Sequence, residues 1–292
     1  MRFSKYHGTG NDFVMIEDVA DKVELSRELV ALLCDRHKGI GADGLIRIAP
    51  SDDADFFMDY WNADGATAEM CGNGIRCLAK YVYDRGLTTK TELNVDTRDG
   101  IKRLWLDIED GEMRTVRVDM GKPSLTRGSI PMQGPEQEKF VGAPFPDAGP
   151  EYTATAVSMG NPHLVLLGAQ DLAGLDLRRI GPQLENHPDF PERTNVEFIR
   201  PSGDGNISVR VWERGVGETM ACGTGACATL VAATEMGLVD RRAKILFPGG
   251  PLDLEWADDD HVYLAGPATF VFDGDRAPDW AFSLKVGFGS RA

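Results

Sequence analysis

The stretch Tyr60-Trp61-Asn62-Ala63-Asp64-Gly65, which leads to Cys71-Gly72-Asn73-Gly74, recurs 151 residues later in altered form. The second copy reads Val211-Trp212-Glu213-Arg214-Gly215 and leads to Cys222-Gly223-Thr224-Gly225. In both copies a β-patterned segment enters a glycine-bearing loop, then Cys-Gly-x-Gly, then a segment with helical periodicity. Glycine matches are weak signals because the chain has 33 glycines, but it has only five Trp and five Cys. Two Trp–Cys pairs at equal spacing therefore favour a duplication over chance.

A second pair of matching segments lies upstream of the two copies. Gly10-Asn11, followed by the apolar residues 13–16, matches Gly160-Asn161, followed by residues 163–166, at an offset of 150. A duplicated fold has a pseudo-twofold axis, and ligands bind preferentially in the cleft between two such halves. Equivalent residues face each other across that cleft, so we expect Cys71 to lie opposite Cys222.

Length, composition and charge narrow the class of protein. The chain has 292 residues, of which 42% are hydrophobic and 26% charged, as is typical of a globular protein with about two domains. Its net charge of −15 argues against a nucleic-acid partner. No apolar run approaches the roughly 18 residues of a membrane span or forms a secretory signal. We therefore expect a cytoplasmic protein that does not bind membranes.

The cysteine count argues against a disulfide framework, because it is odd and the expected compartment is reducing. The five cysteines are Cys34, Cys71, Cys77, Cys222 and Cys227. Their spacings do not match the short pairs of zinc sites, so we expect no metal.

Periodicity predicts an α+β fold. Alternating strands are predicted over 104–109, 116–120, 207–212 and 252–256, and helices over 26–36, 73–85 and 224–236. We expect two pseudo-symmetric halves, each a mainly antiparallel sheet wrapped around a central helix, with the active site in the cleft between them.

The halves are predicted to divide near residue 121. The N-terminal half comprises 1–121, joined by a returning C-terminal segment, 268–292, and the C-terminal half comprises 122–267. Residues 131–150 hold five prolines and three glycines, a density that predicts an irregular connection.

Each Cys-Gly-x-Gly motif lies where a helix is predicted to begin. The first N–H groups of a helix lack internal acceptors and carry partial positive charge, so we expect them to favour thiolate at Cys71 and Cys222 and to bind a carboxylate. A base on one face of a carbon and an acid on the other invert its configuration, and each must approach to within about 3–3.5 Å. We therefore predict sulfurs about 7 Å apart, with the α-carbon of an amino acid between them. Cys34, Cys77 and Cys227 are predicted to be buried core residues.

The motifs as a set make the chain similar to the diaminopimelate epimerases. They include Met70-Cys71-Gly72-Asn73-Gly74, Ala221-Cys222-Gly223-Thr224-Gly225, Phe3-Ser4-Lys5-Tyr6-His7-Gly8, Gly10-Asn11-Asp12-Phe13, Gly39-Ile40-Gly41-Ala42-Asp43-Gly44, Asn62-Ala63-Asp64-Gly65, Met159-Gly160-Asn161-Pro162-His163, Arg193-Thr194-Asn195 and Glu213-Arg214-Gly215. The resemblance extends in the same order to about Asp275. Proline racemases and phenazine-type isomerases share the fold, but the racemases usually have His where this chain has Asn73.

The resemblance implies PLP-independent epimerisation of LL-2,6-diaminopimelate to the meso form, in lysine and peptidoglycan precursor synthesis, with no cofactor. It implies Cys71 and Cys222 as acid and base, with His163 and Glu213 tuning their protonation. The implied substrate contacts are Asn11, Asn62, Gly72, Asn73, Asn161, Asn195, Glu213, Arg214, Gly223 and Thr224. Diaminopimelate is then the expected partner, and a homodimer stays open.

Chemistry supports such a polar set, because diaminopimelate carries two carboxylates and two amines. Arg214 offers a planar fork for a carboxylate, and amide side chains both donate and accept. The residues alone leave other roles open. Asparagines beside glycine are common in turns, Arg214 and Glu213 could form a solvated ion pair, and His163 could be a structural loop residue.

The motif Gly39-Ile40-Gly41-Ala42-Asp43-Gly44 also matches the glycine spacing of dinucleotide-binding loops. It follows a predicted helix rather than a strand, so we do not predict NAD binding. Members of the resembled family often have Gln where Gly44 stands, so one substrate contact is either missing here or supplied by a neighbour. The segment after Asp275, with Pro278-Asp279-Trp280, extends past the usual end and has no assignment.

Three other functions stay open on the sequence. The chain could be a related cofactor-free racemase or isomerase of another amino acid. It could be a redox-regulated protein in which Cys71 and Cys222 form a disulfide. It could also be a binding module without turnover.

Overall fold

The computed structural model describes residues 1–168 and 170–277. The α-helices in these residues are α1 (Arg27–Cys34), α2 (Gly72–Asp84), α3 (Leu177–Glu185) and α4 (Gly223–Glu235). The strands are β1 (Arg2–Gly8), β2 (Asn11–Glu17), β3 (Gly44–Ala49), β4 (Phe56–Asn62), β5 (Glu92–Asp96), β6 (Lys102–Glu109), β7 (Glu112–Asp119), β8 (Ala143–Pro144), β9 (Thr153–Ser158), β10 (Pro162–Leu167), β11 (Asn195–Pro201), β12 (Ile207–Glu213), β13 (Gly217–Thr219), β14 (Arg242–Phe247), β15 (Gly250–Trp256), β16 (Val262–Gly266) and β17 (Thr269–Asp275). A short 3-10 helix covers Arg127–Ser129. None of the helices described is long and apolar enough to cross a bilayer.

The internal duplication is visible in the secondary structure. Helices α2 and α4 each have 13 residues and begin 151 residues apart. The same offset separates the seven-residue strands β4 and β12. In one half β2 pairs in parallel with β3, and in the other β10 pairs in parallel with β11. The prediction of an α+β fold with two pseudo-symmetric halves is confirmed.

Each central helix is buried on almost every side by the strands around it. In α2 all residues from Gly72 to Ala79 are buried, and in α4 all residues from Gly225 to Ala233 are buried. A helix buried all round belongs to the core rather than to a surface. The many Gly and Ala residues of α4 leave space for the surrounding sheet.

Cysteine side chains determine where the central helices begin. Both helices start one residue earlier than predicted, because Cys71 and Cys222 are their N-caps. They end before Gly86 and Gly237, whose φ angles are 68° and 71°, a conformation that favours glycine after a helix. Helix α1 is shorter than the predicted 26–36, since its chain becomes extended at Asp35.

Helix α3 is absent from the sequence prediction. Pro182 lies inside it, and proline is ordinarily read as a helix breaker. Asp176 caps this helix, and it buries Leu177 and Leu184. Packing of one apolar face therefore outweighs its poor propensity.

Strand pairing joins all 17 strands of the described residues into one continuous sheet. Strand β7 pairs with β16, and β17 pairs with β1 at the N-terminus of the chain. Residues 131–150 contain only the two-residue strand β8, which confirms the predicted irregular connection. The division near residue 121 stays a prediction, and the part of segment 268–292 beyond residue 277, with Pro278-Asp279-Trp280, lies outside the described residues.

Candidate active site

The first residues of α2 and α4 lie directly against each other. A β-carbon added to Gly223 would lie 3.1 Å from the Cα atom of Gly72, and one added to Gly72 would lie 3.4 Å from the Cα atom of Gly223. Because neighbouring Cα atoms in a chain are about 3.8 Å apart, the Cα atoms of Cys71 and Cys222 are separated by at most about 12 Å. The contact thus brings the two cysteines close together between the halves.

The two thiols make matching hydrogen bonds as helix caps. The Cys71 sulfur accepts from the Gly74 N–H at 3.4 Å, and the Cys222 sulfur accepts from the Gly225 N–H at 3.4 Å. The side chain of Cys71 is half-buried and that of Cys222 is buried. All five cysteines are free, and Cys34, Cys77 and Cys227 are buried, which confirms their prediction as core residues.

Burial outweighs the helix N–H groups, which lower the pKa of both thiols as predicted, and the expected thiolate form is not favoured. Burial raises the pKa of Cys71 to about 11, and burial raises the pKa of Cys222 well above its ordinary value. The nearby carboxyl group of Glu213 raises the pKa of both thiols further. Hydrogen bonds from the helix N–H groups lower these pKa values but are outweighed. Both residues are therefore thiols near neutral pH, and thiolate needs a proton acceptor or an added positive charge.

Glu213 is placed to accept a proton at Cys222. Burial raises the pKa of this half-buried carboxyl group to about 7, partly offset by hydrogen bonds with Thr219 and Cys222. Glu213 ends β12, at the edge of the turn that leads to β13. The group can therefore gain or lose a proton near neutral pH beside the thiol.

A chain of hydrogen bonds leads from the buried Glu197 to Cys222. Glu197 Oε1 lies 2.7 Å from His163 Nδ1, and His163 Nε2 lies 3.0 Å from Asn161 Oδ1. Asn161 Nδ2 donates to the Thr224 hydroxyl at 3.4 Å, and this hydroxyl lies 3.5 Å from the Cys222 sulfur. Both ring nitrogens of His163 therefore lie within hydrogen-bond distance of side-chain oxygens. His163 thus reaches the thiol through two intervening side chains.

Glu197 is a residue that the sequence analysis missed. Its side chain is fully buried, and its Oε2 atom has no hydrogen-bond partner among the described residues. A β-carbon at Gly225 would lie 2.6 Å from its Oε1 atom, so glycine in the first turn of α4 leaves room for this carboxyl group. A glutamate at an otherwise apolar position of β11 was the signal that could have found it.

Two asparagines organise the side of the site that carries Cys71. Asn11 Nδ2 donates to Asp43 at 2.9 Å, so its Oδ1 atom faces the Cys71 thiol at 3.7 Å and Asn73 Nδ2 at 3.3 Å. Asn73 Nδ2 also donates to the Ala221 carbonyl oxygen at 2.9 Å. This bond ties the first turn of α2 to the opposite half.

Arg76 is a second residue that the sequence analysis missed. Its fully buried guanidinium donates to the Gly72 carbonyl at 2.9 Å, to Asn73 Oδ1 at 3.0 Å and to the Pro267 carbonyl at 3.2 Å. Burial lowers its pKa to about 10, so it remains charged at neutral pH. It is a fixed positive charge near the start of α2.

The predicted residues of the opposite wall support one another. Asn195 Nδ2 donates to the Pro162 carbonyl at 2.9 Å, and its Oδ1 atom accepts from the Arg214 N–H at 2.9 Å. The Arg214 guanidinium donates to the Glu192 carbonyl at 3.0 Å. Asn195 therefore shapes the turn that carries Glu213 and Arg214.

The glycine-rich loop 39–43 runs from the turn after α1 into β3. It precedes a strand and follows a helix, the reverse of the dinucleotide-binding order. Gly44 begins β3, and a β-carbon there would lie 2.7 Å from the Trp61 carbonyl oxygen and 2.8 Å from the Tyr60 ring. The Tyr60 hydroxyl donates to Asn62 Oδ1 at 2.8 Å. The neighbouring strand thus fills the space beside Gly44.

Comparison with known proteins agrees with this arrangement. Residues 3–126 and 155–271 match a family model described as diaminopimelate epimerase. The chain belongs to the diaminopimelate epimerase family. The diaminopimelate epimerase of Pelotomaculum thermopropionicum is 49% identical over 277 residues, covering 94% of this chain and 98% of that protein. That of Desulforudis audaxviator is 50% identical over 276 residues, covering 94% and 98%. The resemblance found in the sequence is confirmed.

Solved structures of other proteins share the fold. A phenazine biosynthesis protein of the PhzF family from Bacillus anthracis superposes with a TM-score of 0.67 at 16% identity, over 95% of this chain and 99% of that chain. A probable proline racemase from Agrobacterium radiobacter superposes with a TM-score of 0.68 at 17% identity, over 95% and 93%. At such identities the likeness to this member of the diaminopimelate epimerase family concerns the fold alone.

Proposed function

We propose that this chain interconverts LL-2,6-diaminopimelate and meso-2,6-diaminopimelate by proton transfer between the substrate's α-carbon and two thiols, Cys71 and Cys222. Membership of the family supports the substrate. The observation that carries the two-thiol mechanism is the contact of Gly72 with Gly223, because it joins two cysteine-capped helix starts. The reaction serves lysine and peptidoglycan precursor synthesis.

The substrate's reacting carboxylate lies between the two helix N-termini in this proposal. The first N–H groups of each helix, at Gly72 and Asn73 and at Gly223 and Thr224, have no acceptor inside the helix and a positive dipole end. Such groups bind a carboxylate and stabilise the charge that it gains when the α-proton leaves. The α-carbon then lies between the sulfurs.

Proton transfer balances without a second reactant. One thiolate takes the α-proton and becomes a thiol, and the electron pair of the broken C–H bond passes into the carboxylate. The opposite thiol then delivers its proton to the other face of the same carbon and becomes a thiolate. The reverse reaction exchanges the two roles, and protons equilibrate with solvent before the next turnover.

Formation of the first thiolate requires help, because both thiols have raised pKa values. We assign this help at Cys222 to Glu213, whose pKa of about 7 allows it to take the thiol proton. The relay from Glu197 through His163 holds Asn161 and the Thr224 hydroxyl in place beside the same thiol. At Cys71 the buried charge of Arg76 acts in the same direction, since it lowers the pKa of that thiol.

The far end of the substrate carries a second carboxylate and a second amine. The residues that we propose to contact the substrate are Asn11, Asn62, Asn161, Asn195, Glu213 and Arg214. A site built from such groups rejects the wrong stereoisomer because its polar atoms are then left unpaired. The amide orientations of Asn11 and Asn195 are already determined by protein partners, which limits the reorganisation needed for binding.

The test is incubation of the reduced protein with LL-diaminopimelate in deuterium oxide. We expect the meso isomer with deuterium at the inverted α-carbon, loss of turnover in Cys71→Ala and in Cys222→Ala, and unchanged turnover in Cys34→Ala. Cys34 is an apt control because it is buried in a separate apolar cluster with Val30 and Leu33. Fully reduced, folded protein that forms neither the meso isomer nor deuterated substrate would overturn the proposal.

A further inference from the structure

Gly44 differs from the residue at the equivalent position of the second half, and this difference points to a role for the neighbouring Tyr60. Gly44 pairs with Asn62 across β3 and β4. The φ angle of Gly44 lies outside the left-handed range, so the backbone conformation does not require glycine. The available space does require glycine, since the Trp61 carbonyl and the Tyr60 ring lie where a side chain would be.

Tyr60 is buried beside the proposed site. Its side chain is 8% exposed, its ring packs edge-on against Phe13 at 6.0 Å between centroids, and its hydroxyl donates to Asn62 Oδ1 at 2.8 Å. Burial raises the pKa of Tyr60, and the charges of Cys71 and Glu213 act in the same direction. The hydroxyl is therefore a neutral donor that lies within electrostatic range of one thiol and of Glu213.

In the second half the oriented side-chain amide belongs to a different position. The positions equivalent to Gly44 and Tyr60, at the offset of 151, are Asn195 and Val211. Asn195 carries its own amide, which two backbone groups orient, and no hydroxyl stands beside it on β12. In the first half the amide belongs to Asn62, and the tyrosine hydroxyl orients it.

We propose that Tyr60 is a positioning residue for substrate recognition. Its hydroxyl donates a hydrogen bond to the side-chain carbonyl oxygen of Asn62, so the Asn62 N–H groups remain to face a substrate carboxylate. This inference rests on the proposed function. A buried phenolic proton needs an acceptor, and Asn62 Oδ1 is the acceptor that the structure provides. With its oxygen so engaged, Asn62 can only donate on its free side, which matches a carboxylate and opposes an ammonium group.

Loss of the hydroxyl has a specific consequence. In Tyr60→Phe the ring still fills the space beside Gly44, but Asn62 is free to rotate and present its oxygen to the carboxylate. A hydrogen bond to a charged group is worth roughly tenfold or more in binding. We expect KM for LL-diaminopimelate to rise about tenfold while kcat changes by less than about twofold, because the thiols are untouched.

A matched control separates positioning from general stability. Tyr81→Phe also removes a hydroxyl from a buried tyrosine, one that donates to Glu17 at 3.0 Å, but near the far end of α2. We expect it to leave KM unchanged.

The experiment is steady-state kinetics of the wild type and these variants, together with inhibition by a substrate analogue in which the distal carboxylate is an amide. We expect Tyr60→Phe to weaken the binding of diaminopimelate more than the binding of the amide analogue. Equal weakening of both ligands, or an unchanged KM in Tyr60→Phe, would overturn the inference. Failure of the wild type to turn over diaminopimelate would instead count against the proposed function.

Discussion

Gly223 lies so close to Gly72 that a β-carbon on Gly223 would lie only 3.1 Å from the Gly72 Cα atom. The pair stands at the pseudo-twofold axis, one residue after each cysteine, and each glycine belongs to the first turn of a central helix. The requirement for glycine here comes from close approach rather than from an unusual φ. The distance between the two thiols therefore depends on this backbone contact, together with the hydrogen bond from Asn73 to the Ala221 carbonyl.

Separation of the helix starts should therefore impair catalysis more than folding. In Gly223→Ala the new methyl group, 3.1 Å from the Gly72 Cα atom, forces the helices apart by a fraction of an ångström. We expect kcat to fall by about three- to tenfold, since misplacement of reacting groups by about 1 Å costs about 100-fold, and the free energy of unfolding to fall by about 1–3 kcal/mol.

Deuterium incorporation rates and urea unfolding measure the two effects. Gly203→Ala is the control, because no atom lies within 4 Å of a β-carbon there. Normal kcat in folded Gly223→Ala would show that the spacing of the thiols is not critical.

The pH dependence of turnover should report Glu213. If its carboxylate accepts the Cys222 proton, activity rises with pH through its pKa of about 7. In Glu213→Gln that limb should disappear and kcat should fall about 100-fold. Glu218→Gln, on the exposed side of the same hairpin where it pairs with Arg210, should keep the wild-type profile. A limb near pH 7 that survives in Glu213→Gln would assign it to another group.

The free energy of unfolding should also depend on pH, because the pKa of Glu213 is raised in the folded state. The folded state holds the Glu213 proton more tightly than the unfolded state, whose pKa is about 4.5. The contribution to stability is greatest below that value and is lost as pH rises to about 7. Glu213→Gln should therefore become more stable relative to wild type between pH 4.5 and 7, as measured by urea unfolding at both limits, whereas a constant difference would mean an ordinary pKa.

Glu197 and His163 should depend on each other for stability. Both side chains are completely buried and lie 2.7 Å apart, and removing one partner of a buried pair costs about 3–5 kcal/mol. We expect a loss of this size in Glu197→Leu and a smaller loss than the summed single variants in Glu197→Leu with His163→Leu. A double-mutant cycle in urea measures the coupling, and additive losses would indicate two independent residues.

Sequence alone locates the two thiols because duplication is recorded as spacing: the offset between Cys71 and Cys222 needs no structure. The central helices follow from their periodicity and terminal glycines. The roles of Glu197 and Tyr60 do not follow, since each occupies a strand position where the alternation pattern says nothing about hydrogen-bond partners. Helix α3 is missed because its propensity is poor and its packing decides. The thiol pKa values also escape prediction, because the helix effect is visible in sequence but the depth of burial is not.

Two thiols act on opposite faces of one carbon in the proposed mechanism, and the distribution of deuterium at low conversion tests this directly. LL-diaminopimelate is incubated in deuterium oxide, and substrate and product are separated after a few per cent of reaction. We predict one deuteron at the inverted carbon of the meso product and almost none in the recovered LL substrate, because the thiol that donates has exchanged with solvent while the abstracted proton stays on the other sulfur. Deuterium in the recovered substrate at a level similar to the product, or a product that retains the original hydrogen, would contradict the account.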